Sequence, residues 1–121
     1  MNERQLAYFK KKLLNWRAEI VRESQETLHQ LNLDSNQHAD ISDRASSESD
    51  RAIELRARDR QRKLIAKIDA ALERVADGSY GYCEETGDPI GLKRLDARPI
   101  ATLCIEAQER HERRERVYRD D

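Results

Sequence analysis

The chain has 121 residues, 39% charged and 5% aromatic, and its 23 basic and 24 acidic side chains leave a net charge of −1. Leu, Ile, Val and Phe number 24, too few for a large buried core or a roomy enclosed pocket. Balanced charge with only 4 Gly and 2 Pro argues against disorder and against non-specific nucleic-acid binding, and for one domain built of long solvated helices.

Leu6, Phe9, Leu13, Trp16 and Ile20 step alternately by 3 and 4 residues, which is the a/d seam of a coiled coil. The frame runs on through Glu23 and Thr27 to about Leu31, and no Gly or Pro interrupts residues 3–33. The spacing predicts a helix there, roughly 45 Å long at ~1.5 Å per residue. Residues 34–45, DSNQHADISDRA, crowd turn formers around one large apolar residue, Ile41, and are expected to form a polar connection. Asp43 is placed to cap a second helix entering at Arg44, with Ser46 and Ser47 as later alternatives.

The helical pattern resumes to Asp77, with Ile65, Ile68, Leu72 and Val75 on the seam and Arg62, Arg58 and Leu55 continuing it upstream. That seam is apolar at one end and polar toward the connection. Gly78 supplies the stop. Two helices of similar length with a short polar link predict an antiparallel hairpin over residues 1–77, with an acidic tip at 34–45. Residues 78–121 form the second region. A knuckle of short strands or turns is expected over 79–105, with Tyr80, Tyr82, Ile90, Leu92, Leu95, Ile100 and Leu103 as a small core. A charged helix over 105–119 follows. The fold class is mainly α: a long antiparallel coiled-coil hairpin, a small degenerate zinc-ribbon-like knuckle and a C-terminal helix.

A zinc ribbon places four thiolates from two CxxC pairs around a tetrahedral ion. Here the pairs read Cys83-Glu84-Glu85-Thr86 and Cys104-Ile105-Glu106-Ala107. Two thiols remain, while Thr is a poor zinc ligand and Ala is none. His111 lies about 10 Å beyond Cys104 along a helix, too far to complete the set. A metal-free knuckle held by apolar side chains is therefore expected, with a Cys83–Cys104 disulfide as an alternative.

Asp40 and Asp43 read as turn and cap chemistry, or as charge carried at the end of a rod into a cleft. Residues 51–77 hold 8 basic and 5 acidic side chains. The basic run Leu55–Lys63 reads as a solvated face with an Asp59–Lys63 pair, or as a surface for an acidic or phosphorylated partner. No catalytic constellation is visible: Cys83 lacks a local His, and no pocket is implied that would desolvate a carboxylate. No apolar run approaches the ~20 residues that cross a bilayer, and MNERQLAYFKKK has no signal-peptide core, so a cytoplasmic location without membrane contact is expected.

Several stretches together carry a family likeness. Asp40-Ile41-Ser42-Asp43-Arg44-Ala45 resembles the DxxDxA tip of the DksA/TraR family. The opening MNERQLAYFKKKLLNWR, the helix Leu55–Ile68 and the stretch GYCEETGDPIGLKRLDARPIATLC from Gly81 to Cys104 are similar to that family as well. The resemblance implies a regulator that binds bacterial RNA polymerase, enters its secondary channel and destabilises open complexes at sensitive promoters such as those of ribosomal RNA, potentiated by ppGpp. It implies tip roles for Asp40, Asp43 and Ala45, polymerase contacts for Arg56, Arg60 and Lys63, and a ppGpp site at Leu64, Lys67 and Arg98. Cys83, Thr86, Cys104 and Ala107 stand at the family's zinc positions; some members lack the full set and work without zinc, and this chain resembles that type. Gln108 replaces a basic residue near ppGpp, and Ala57 replaces a polar amide. The same likeness implies no direct DNA binding, while the polar seam predicts a monomer and the missing catalytic constellation predicts no enzymatic activity. The alternatives are a channel factor that assists RNA cleavage, in which the tip acids hold a metal ion, and a structural coiled-coil adaptor.

Overall fold

A computed structural model describes the backbone of residues 1–37 and 41–120, and side chains outside 31–47 and 118–121. Four helices follow one another: α1 (Glu3–Gln37), α2 (Ile41–Asp77), α3 (Leu92–Ala97) and α4 (Ile105–Asp120). The start of α1 is a reciprocal cap. The Gln5 amide donates to Asn2 Oδ1 at 2.8 Å and the Asn2 amide donates to Gln5 Oε1 at 3.1 Å, so two otherwise unpaired donors are satisfied. The end of α2 is a glycine stop. Gly78 takes φ 87°, a left-handed conformation, and the amides of Gly78, Ser79 and Tyr80 all converge on the Arg74 carbonyl. Asp77 reinforces the exit by accepting from the Ser79 amide and hydroxyl, which holds its carboxyl below the usual range.

The helices run further into the expected connection than the composition of 34–45 suggests. Asp34–Gln37 closes α1 and Ile41–Ala45 opens α2. Polar residues without Gly or Pro do not stop a helix whose backbone groups are already paired. Asp43 therefore lies inside the first turn of α2 rather than ahead of it.

The chain forms two compact units, Leu14–Asp69 and Met1–Leu13 with Ala70–Asp121. In the first, Arg17 donates to Asp69 at 2.7 Å and Ser24 to Gln61 at 2.8 Å. Rising numbers on α1 meet falling numbers on α2, so the arms are antiparallel. Ile20 and Ile68 are buried on the seam. Beyond them the seam turns polar, as its spacing predicts, but Leu55 is 47% exposed and does not serve as a seam residue. The basic face carries the expected Asp59–Lys63 ion pair at 3.2 Å.

In the second unit Phe9, Leu13, Ala71, Tyr80, Ile90 and Leu95 form a buried core. The Phe9 and Tyr80 rings lie 5.7 Å apart, and the Tyr80 hydroxyl donates to the Pro99 carbonyl at 2.7 Å. Among the described residues the knuckle holds one isolated antiparallel bridge, Tyr82 to Pro89, and no extended strand. The helix α3 has no counterpart in the sequence reading. Tyr82 and Leu92, expected in the core, are half exposed; α3 turns Leu95 inward, and Leu92, three residues earlier, stays outside. Leu95→Ala should therefore destabilise the protein by about 2–5 kcal/mol while Leu92→Ala costs under about 1 kcal/mol. Denaturant unfolding of the two variants checks the contrast.

Candidate functional site

The tip residue Asp40 lies outside the described residues, as do the side chains of Asp43 and Ala45. The α2 backbone places Asp43 in the first helical turn, where the partial positive charge of the helix N-terminus favours a carboxylate. Further along α2, Arg56 and Arg60 are exposed and one turn apart. Asp59 is held by its neighbours, with Arg62 at 3.6 Å and Lys63 at 3.2 Å. No described carboxylate pairs with Arg56 or Arg60, so the two guanidiniums are free to meet an acidic partner, whereas Lys63 is engaged by Asp59.

Leu64 is half-buried and Lys67 exposed in the unit Leu14–Asp69, while Arg98 is exposed at the C-terminus of α3 in the other unit. Within either unit taken alone, the three do not form a cluster. Gln108 bonds along its own helix to Glu112 at 3.4 Å.

The cysteine region is built by backbone hydrogen bonds. The Cys83 amide donates to Asp88, the Gly87 amide returns to the Cys83 carbonyl, and the Glu84 amide reaches Thr102. Cys83 is buried, Cys104 is half-buried, and both are free thiols, not a disulfide. Thr86 Oγ1 stands 3.9 Å from Cys104 Sγ and accepts from the Asp88 amide at 3.2 Å. The Thr86 hydroxyl, and then the amides of Cys104, Thr86 and Glu85, pull the Cys83 thiol down to about 6 against the opposing effect of burial. Such a cradle of donors suits a thiolate. It does not suit tetrahedral zinc: the fourth position is the buried methyl of Ala107, and the third is a hydroxyl. Among the described residues no three His, Cys, Asp or Glu side chains converge as a metal site.

His111 has a different partner. Its Nε2 bonds Glu85 Oε1, with Arg110 4.0 Å from the same carboxylate; the His111 hydrogen bond first, and then the nearby positive charge of Arg110 and Arg114, hold Glu85 below its ordinary value. This contact ties α4 to the loop between the cysteines. A second polar link was equally invisible in the sequence: Asp96 accepts from Lys12 Nζ and from the Tyr8 hydroxyl, each at 2.6 Å. No short-range spacing signals either link, since the partners lie 26 and 84 or more residues apart.

The Cys83 environment makes a pH prediction. A thiol whose value is lowered from 9.0 to about 6 on folding is ionised in the folded chain and protonated in the unfolded chain between those values. Its contribution to stability is complete above about 9 and vanishes as pH falls through about 6. Ultraviolet thiolate absorbance should titrate near 6 for Cys83, and Thr86→Val should move that step upward toward the ordinary value, because the leading donor is gone.

Two family descriptions match the chain: the DnaK suppressor protein DksA N-terminal domain over residues 5–75, and the prokaryotic dksA/traR C4-type zinc finger over residues 78–113. The RNA polymerase-binding transcription factor DksA of Caulobacter vibrioides is 72% identical over 121 residues, covering 100% of this chain and 85% of that protein. The protein of the same name from Escherichia coli K12 is 44% identical over 116 residues, covering 96% and 77%. Among solved structures, transcription factor DksA2 from Pseudomonas aeruginosa superposes with a TM-score of 0.90 at 48% identity, over 96% of this chain and 89% of that one. An antiparallel hairpin, a cysteine-bearing knuckle, a C-terminal helix and sequence identity along the whole length converge on one assignment: the chain belongs to the DksA family.

Proposed function

We propose that this chain regulates transcription by binding bacterial RNA polymerase, inserting its hairpin into the secondary channel and destabilising open complexes at ribosomal-RNA-type promoters together with ppGpp. The observation that carries the reading is 72% identity over the full chain to a protein named as an RNA polymerase-binding transcription factor. The geometry supports it. Within Leu14–Asp69 the α1 arm from Leu14 to Gln37 extends about 36 Å at ~1.5 Å per residue, long enough to carry a charge into a deep cleft. In sequence, the DxxDxA motif follows α1 and runs into the start of α2. Free guanidiniums at Arg56 and Arg60 offer an acidic polymerase surface bidentate contacts.

In this reading Asp43 acts at the tip through its charge, and Asp40 and Ala45 complete the motif. Lys67 beside Leu64 in one unit and, separately, Arg98 in the other offer positive charge to ppGpp phosphates. Gln108 in place of a cation reduces that attraction, so the ppGpp increment should be modest. The chain acts as a cytoplasmic monomer without binding promoter DNA sequence-specifically. Its relatives are named transcription factors and not enzymes, and no step of bond chemistry is assigned to it.

The test is transcription from a ribosomal RNA promoter with purified polymerase, with and without ppGpp. Wild type should inhibit. Asp43→Asn should bind polymerase as wild type does but, even at saturating protein, shorten open-complex lifetime about tenfold less, the loss expected for one charge-assisted contact made after binding. Normal inhibition by Asp43→Asn would remove the tip mechanism. Stimulated cleavage of backtracked RNA in place of inhibition would favour a cleavage factor.

A further inference from the structure

The unit Met1–Leu13 with Ala70–Asp121 carries a groove of about 380 Å³ between the first turns of α1 and α3. None of the tip, arm, cysteine or ppGpp residues lines it. Its wall is apolar: Phe9 is buried at the base, and Tyr8 and Leu92 stand 53% and 47% exposed along it. In a chain with 5% aromatic residues, a tyrosine and a leucine held half in water at one groove call for a reason. Folding alone does not supply one, since Leu95 fills the core position that Leu92 leaves.

The charge around the groove is one-sided. Asp96 is the only carboxylate in the lining, and it is already neutralised by Lys12 Nζ and the Tyr8 hydroxyl, which hold its carboxyl below the usual range. Arg4 and Lys93 flank the groove, and no described carboxylate pairs with either. The groove therefore presents an apolar wall between two unanswered cations. It is also elongated: a second hollow of about 190 Å³ shares Gln5 and Leu92 with it and continues to Tyr82 and Pro89. An extended occupant suits that outline better than a compact one.

We propose that this face docks a short acidic segment of a partner protein, with an apolar side chain against Tyr8, Phe9 and Leu92 and carboxylates meeting Arg4 and Lys93. An apolar anchor gives such a site its affinity, and rim charges give it selectivity and salt dependence. Two separated cations are few for an anionic lipid surface, which is recognised by larger basic clusters. This surface does not rest on the polymerase reading, and neither stands or falls with the other.

The experiment is fluorescence anisotropy with the full chain and a short fluorescein-labelled peptide of alternating leucine and glutamate, beside the same peptide with lysine for glutamate. The acidic peptide should bind saturably and the lysine peptide should not. Arg4→Glu combined with Lys93→Glu should weaken binding about tenfold, each reversed rim charge being worth roughly a factor of three. Leu92→Asp should weaken it at least as much, and added salt should weaken it further. All three positions are exposed, so the variants should keep the wild-type circular dichroism. Absence of saturable binding by wild type, equal binding of both peptides, or undiminished binding by folded variants overturns the proposal. Capture of phosphatidylglycerol vesicles with neither peptide bound overturns it in favour of a lipid surface.

Discussion

Tyr80 closes the unit that holds the cysteines. Its ring is buried against Phe9 of α1, its hydroxyl donates to the Pro99 carbonyl, and burial pushes its phenol up to about 12. Around it, Leu13, Ile90, Leu95 and Ala107 are buried with no charged residue among them. In a four-thiolate knuckle the ion supplies much of the folding free energy. Here two of the four positions are Thr86 and Ala107, which do not complete a four-thiolate set, and apolar packing around Tyr80 is the closure the described residues display. Ala107 is itself part of the change: where a ligand would point at an ion, its methyl joins the core. At the neighbouring Cys83, the Thr86 hydroxyl and the amides of Cys104, Thr86 and Glu85 lower the thiol against the effect of burial.

The arm Leu14–Asp69 depends on a different balance. Ile20 and Ile68 anchor it, with a polar contact on either side, Arg17 with Asp69 toward the base and Ser24 with Gln61 toward the tip. Partly exposed pairs of this sort contribute about 0–1 kcal/mol each, little as stability but enough to fix register between two long helices. A seam so polar is a poor surface for self-association, which leaves the outward cations on α2 for another molecule. The family to which the chain belongs, and the proposed insertion into a polymerase channel, both fit an arm that is stiff in register and hydrophilic on its surface.

Much of this was legible in the sequence, because it depended on period. Phe9, Leu13, Ile20 and Ile68 stand on the predicted seam and are buried, and the Gly78 stop and the C-terminal helix from Ile105 fall at their expected places. The remainder depended on tertiary context. Nothing local in LKRLDA distinguishes a six-residue helix from a turn, so α3, and with it the outward placement of Leu92, carries no sequence signal. Leu55 fits the seam by spacing but lies where neighbouring seam positions are polar, and it is exposed. The Asn2–Gln5 cap is a recognisable local pattern that hydrophobic periodicity overlooks. The Glu85–His111 and Lys12–Asp96 links join residues from different helices and loops, and a single sequence has no signal for them. At the cysteine pair the substitutions themselves are readable; the depression of the Cys83 thiol comes from the Thr86 hydroxyl and then from amides that only the folded loop brings together.

The most direct test of a fold closed by apolar packing in place of a metal is thermal unfolding of the purified full chain, followed by circular dichroism, before and after exhaustive treatment with a zinc chelator. The midpoint should be unchanged. A fall of more than about 5 °C, on the order of 1 kcal/mol for a domain of this size, restored by added zinc, would contradict the closure around Tyr80 and show that the two remaining thiols still hold an ion the fold depends on.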